Sequence, residues 1–127
     1  MGAFRVNCEI RDVRVRAKPP VVVKGLLVDT GSEFSWIPER SLRAAGVRIV
    51  KKDIRFMMAN GEQVTRSTGY AILRTGDFET VDEVVFGRRG DLSLLGARTL
   101  EGFGASVDAR GRQLVAAGPH LAAPGRS

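Results

Sequence analysis

An apolar, β-branched run at residues 21–29, VVVKGLLVD, passes without transition into Asp29-Thr30-Gly31-Ser32. Valine-rich runs favour extended backbone, and near-continuous apolarity predicts a strand covered on both faces. Running a carboxylate directly out of such a core is unusual. A buried, ionised carboxylate is costly unless hydrogen bonds or a partner charge offset it. Thr30, Gly31 and Ser32 are residue types that can do so: glycine lets an N–H approach closely, and the hydroxyls can donate or brace. The bland alternative is a plain turn after a strand.

The surrounding pattern is also β. Residues 4–12 alternate strictly, with Phe4, Val6, Cys8 and Ile10 on one side and Arg5, Asn7, Glu9 and Arg11 on the other, as a half-buried strand requires. Pro19-Pro20 ends that segment. A short helix is expected at 38–46, with Pro38 in its first turn and Gly46 as its stop. Strands are expected at 54–59 and 62–68 about an Asn60-Gly61 hairpin turn, then at 69–74 and 82–86. A polar loop, GRRG, follows at 87–90. Residues 97–103 have helical spacing, and 105–107 with 113–116 read as a last hairpin. The fold class is therefore all-β with one or two short helices, shaped as a barrel or sandwich. Residues 1–118 form the expected domain, and 119–127 an expected flexible C-terminal tail carrying the single histidine, His120, as a bystander.

Composition narrows the chemistry. A lone Cys8, expected in the core, excludes an internal disulfide framework and a cysteine-built zinc site, and one His argues against Ser–His or Cys–His catalysis. No metal and no cofactor is expected. The net charge of +6 comes from 20 Lys+Arg against 14 Asp+Glu, but the 16 arginines are scattered and only 6% of residues are aromatic. Nucleic-acid binding, which favours basic faces interleaved with aromatics, is not expected. With no long apolar run and no recognisable signal peptide, a cytoplasmic protein without membrane contact is the expectation.

Two further motifs complete the pattern: the hairpin FMMANGEQV at 56–64, and Leu94-Leu95-Gly96 ahead of ARTLEGFG. With VDTGS at 28–32, they resemble the retropepsin-like aspartic proteases over nearly the whole chain. The small bacterial members look closest, since the last hairpin, Val107-Asp108 to Leu114-Val115, is also similar. The chain departs from the family where Ala97-Arg98 follows Gly96 in place of Arg-Asp or Arg-Asn. Glu33 is a second departure.

The resemblance implies a closed, barrel-like acid protease fold and an aspartic endopeptidase. Two carboxylates about 3 Å apart share a proton, one serving as base and the other as acid. One chain offers one Asp-Thr-Gly, so the implied enzyme is a two-fold homodimer acting on a peptide or protein substrate. Asp29, Thr30 and Gly31 take the catalytic positions, with Thr30 bracing its counterpart across the axis. Ser32, Glu33 and Phe34 line the cleft, and Met58, Ala59, Asn60 and Gly61 form a flap over substrate. The alternatives are a catalytically silent peptide-binding or dimerisation module of the same fold, and a basic nucleic-acid adaptor.

Overall fold

The computed structural model describes residues 3–15, 17–119 and 122. His120 and most of the expected tail lie outside the described residues. Strand β1 (Arg5–Asp12) follows the sequence alternation, with Cys8 and Ile10 buried and Arg5 and Asn7 exposed. It pairs antiparallel with β2 (Val21–Val28), and the register slips between Val6 opposite Leu26 and Cys8 opposite Val23. The extra residue is absorbed at Gly25, whose φ of +72° suits glycine. Its N–H donates to the Asn7 side-chain oxygen (3.1 Å), and its carbonyl accepts from Arg5 Nη1 (2.8 Å).

That bulge corrects the expectation of a strand covered on both faces. Val23, Leu26 and Val28 are buried, whereas Val22 is 53% exposed and Lys24 faces out. The run looked uniformly apolar because the bulge shifts the alternation by one residue halfway along it.

β3 (Ser35–Pro38), a strand the sequence patterns did not indicate, leads directly into α1 (Glu39–Ala44). Gly46, at φ +84°, ends the helix as expected, with its N–H on the Arg43 carbonyl and that of Val47 on Leu42. β4 (Lys51–Met57) and β5 (Gln63–Thr75) form the expected hairpin. β5 continues through Gly69, where two segments were expected. A Cβ at Gly69 would collide with the Arg48 carbonyl, so the glycine serves a close backbone approach, not a break. Gly76, at φ +58°, makes the two-residue turn into β6 (Phe78–Gly87), which starts earlier than expected. β7 (Leu94–Leu95), α2 (Ala97–Phe103) and a separate hairpin of β8 (Ala105–Asp108) and β9 (Gln113–Ala116) are the last elements among the described residues.

The main sheet runs β1-β2-β7-β3-β6-β5-β4, and β1 also pairs with β5 through Glu9–Asp12. The pairings therefore form a circuit of six strands, from which β4 projects. Its interior holds Ile10, Leu26, Ile37, Leu73, Val84 and Leu95, all fully buried. β7 is parallel to β2 and antiparallel to β3, so it separates two strands that are consecutive in the chain. The segment joining them, residues 29–34, must pass over the end of β7.

Candidate active site

The geometry of that crossing segment starts at Asp29, whose N–H donates to the Leu95 carbonyl (3.0 Å) as the last rung between β2 and β7. Its carboxylate Oδ1 accepts the Gly31 N–H at 2.9 Å, and its carbonyl accepts the Ser32 N–H at 3.2 Å. A Cβ on Gly31 would press on Asp29 Oδ1 at 3.2 Å, which is why the small residue belongs there. Among the described residues of one chain the carboxylate gains only that bond. Thr30 is exposed, and the Ser32 hydroxyl donates to the Phe34 carbonyl (2.8 Å). The expectation that both hydroxyls could steady Asp29 therefore does not hold within one chain. Asp29 is only half-buried, so water can solvate what the loop does not.

The rest of the loop is held from α2. Ala97 and Arg98 donate their N–H groups to the carbonyls of Ser32 (2.7 Å) and Glu33 (3.1 Å). These two amides open the helix and have no partner inside it, so the loop satisfies them. Gly96 sits where a Cβ would collide with the Phe34 carbonyl and crowd that of Ser32. The glycine after Leu94-Leu95 is thus explained by backbone packed against backbone.

Behind the loop runs a buried chain of hydrogen bonds. The Gly96 N–H donates to Ser35 Oγ (2.9 Å), Ser35 Oγ lies 2.6 Å from Thr99 Oγ1, and Thr99 Oγ1 donates to Asp82 Oδ2 (2.8 Å). Ser35 and Thr99 are fully buried. A carboxylate only accepts, so the direction is fixed: Thr99 gives its proton to Asp82, and Ser35 gives its own to Thr99. Asp82 Oδ1 accepts the Glu83 N–H (2.8 Å), and Arg98 Nη2 lies 4.0 Å from it. The Arg98 guanidinium also stacks over the Phe34 ring, 4.7 Å from its centroid. Ser35, Asp82 and Thr99 were not expected as site residues. This chain supplies the helix anchor that the unusual Ala97-Arg98 left open.

The hairpin of β4 and β5 connects to the same loop through aromatic contacts. Phe56 meets Phe34 edge-on (5.4 Å) and Trp36 (5.3 Å), while Arg66 lies over Trp36 and pairs bidentately with Asp91 at 2.8 Å. At the hairpin base, Glu83 is buried beneath Lys51 and Thr68. Burial alone would raise its carboxyl, but the Thr68 hydroxyl and Lys51 ammonium outweigh it and hold Glu83 below the usual range.

The tip is a three-residue loop. Met58 donates its N–H to Glu62 (2.8 Å) and accepts from Gly61 (2.9 Å), with Gly61 at φ +87°. Asn60 keeps a negative φ, and its side-chain oxygen accepts the Glu62 N–H. The turn is therefore not the two-residue type that Asn-Gly commonly signals. Ala59, Asn60 and Gly61 are exposed, and Met58 is half-buried. The structure thus gathers Asp29 through Phe34 in one loop and joins the hairpin to it at Phe34, while the tip residues make no hydrogen bond to that loop. Among the described residues, no group of three or more His, Cys, Asp or Glu side chains is placed to hold a metal ion, and no helix is long and apolar enough to cross a membrane.

The β2 and β3 ends thus present Asp29-Thr30-Gly31 over the end of β7, with the β4–β5 hairpin attached at Phe34. The family model for aspartyl proteases matches residues 7–99, from β1 into α2. The chain belongs to the aspartyl protease family, of the retropepsin-like kind. No curated protein and no solved structure matches it.

Proposed function

We propose that this protein is an aspartic endopeptidase in a closed-barrel acid protease fold, assembled as a homodimer that pairs Asp29 with Asp29 of the partner subunit. The observation that carries the reading is the state of Asp29 in one chain. Asp29 is half-buried, its carboxylate takes a single hydrogen bond among the described residues, and exposed Thr30 and Gly31 follow it. A twin loop against that surface would supply what one chain lacks. Thr30 would brace its counterpart across the axis.

Two such carboxylates share one proton. The ionised one takes a proton from water as the oxygen adds to the scissile carbonyl carbon, and the protonated one gives its proton to the carbonyl oxygen. Collapse of that tetrahedral species, with a proton passed to nitrogen, breaks the C–N bond and yields a carboxylic acid and an amine. Ser32, Glu33 and Phe34 line the cleft from below. Met58 to Gly61 close over it and exclude water, with Phe56 on Phe34 as the fixed base of that motion.

The test combines sedimentation analysis with digestion of a peptide library, followed by initial rates from pH 3 to 9. The expected result is a dimer with a bell-shaped profile, an optimum below neutrality and falling rates above about pH 7. Asp29→Asn is expected to abolish cleavage while leaving the fold intact. Undiminished cleavage by that variant would refute the assignment.

A further inference from the structure

A cavity of about 530 Å³ lies between residues 38–40 and 87–93, with none of residues 29–34 in its lining. Three arginines, Arg40, Arg88 and Arg89, line it, and all are exposed. Among the described residues, none of the three guanidinium groups has a carboxylate oxygen within 4.0 Å. The two acidic residues in the same wall are already engaged elsewhere. Asp91 takes both forks of the Arg66 guanidinium at 2.8 Å, and Glu39 pairs with Arg43 at 3.4 Å.

The turn carrying Arg88 and Arg89 is preorganised. Asp91 Oδ2 accepts the Arg88 N–H at 2.7 Å, the Asp91 N–H returns to the Arg88 carbonyl at 2.9 Å, and Gly90 takes φ +94°. The Asp91 carboxylate therefore shapes the loop and spends both oxygens on the Arg66 guanidinium, and it reaches Arg88 through its charge without pairing with that side chain.

We propose that this cavity binds an oxyanion, a carboxylate or phosphate group borne either by a small molecule or by an acidic peptide. Guanidinium groups offer forked donors matched to both groups, and three positive charges around one concavity repel one another until an anion enters. The volume exceeds that of a bare anion, which leaves room for the body that carries it. The site is independent of the hydrolytic reading, and its test needs no turnover.

The full chain, labelled with nitrogen-15, would be titrated with inorganic phosphate, with a phosphoserine peptide and with its unphosphorylated counterpart, while the amides of residues 87–91 are followed. Saturable shifts are expected from at least one phosphate source. Saturation by inorganic phosphate identifies a free anion as sufficient, and saturation by the phosphopeptide alone identifies a peptide-borne group. The double substitution Arg88→Gln with Arg89→Gln should weaken binding at least tenfold. Its fold should survive, because Asp91 holds the Arg88 main chain and not its side chain. Arg40→Gln, on the opposite wall, should weaken binding independently, whereas Arg55→Gln on β4 should not. Shifts that do not saturate, that survive the double substitution or that spread evenly over the exposed arginines would overturn the proposal. So would tighter binding of a single-stranded oligonucleotide, which would mark a diffuse basic surface.

Discussion

Replacing Thr99 with valine keeps the shape of the side chain and removes its hydroxyl, which breaks the buried chain behind the Asp29 loop at its middle link. Two losses follow. The bond to the Asp82 carboxylate, a charged acceptor at 2.8 Å, contributes about 1.5–3 kcal/mol in comparable cases. Ser35, fully buried, is left holding a proton with no acceptor, a penalty of about 1–3 kcal/mol. Asp82 is half-buried, so water recovers part of the first loss, and the expected total is about 2–4 kcal/mol. Thr99→Ser keeps the hydroxyl and deletes one methyl, at about 1 kcal/mol. The assay is urea unfolding at fixed protein concentration, followed by the fluorescence of Trp36, the chain's single tryptophan, packed against Phe56. In an Asp82→Ala background, the valine substitution should cost only the Ser35 share. If Thr99→Val destabilises no more than Thr99→Ser, the buried chain carries no net energy and main-chain contacts alone hold the loop.

Gly96→Ala is expected to displace the loop, because the added Cβ collides with Phe34; amide spectra should change first at residues 29–34, and an unchanged spectrum would contradict the packing. The Arg66 bonds hold the Asp91 carboxyl below its usual range, as Thr68 and Lys51 do for Glu83. A depressed folded value gives stability that is present above the unfolded value, about 3.9 for aspartate, and lost as pH falls through the folded one. Melting temperature should therefore drop below about pH 4, and Asp91→Asn should flatten that acid limb while lowering stability at neutrality. Burial pushes the Cys8 thiol up to about 12, so iodoacetamide at pH 8 should label it only after unfolding, and rapid native labelling would place Cys8 outside the core.

The parts legible in the sequence are those fixed by neighbours along the chain. β1 is readable because Phe4, Cys8 and Ile10 alternate with polar residues, and the stop at Gly46 because the left-handed position favours glycine there. β3 was invisible: Ser35, Trp36 and Ile37 are all buried and show no alternation, and their strand character comes from pairing with β6 and β7. The same holds for the chain Ser35–Thr99–Asp82, whose members meet only once the sheet is assembled. The turn that carries Asp29 was readable as the end of a strand, but the partners of its carboxylate were not. The neighbouring hydroxyls looked like donors, yet Thr30 faces solvent and Ser32 turns to Phe34.

The placement of β7 between β2 and β3 also orders events in time. The Asp29 loop has three short-range hydrogen bonds of its own, from Gly31, Ser32 and the Ser32 hydroxyl, and among the described residues its longer-range backbone hydrogen bonds come from Leu95, Ala97 and Arg98. Closing a connection of that length is entropically costly and slow beside local hairpins such as β4–β5. During synthesis the aspartate therefore leaves the ribosome long before the residues that shape its surroundings. The nascent chain carries the Asp-Thr-Gly motif without the geometry that surrounds it, so assembly of the last third of the chain decides when the loop takes its final form.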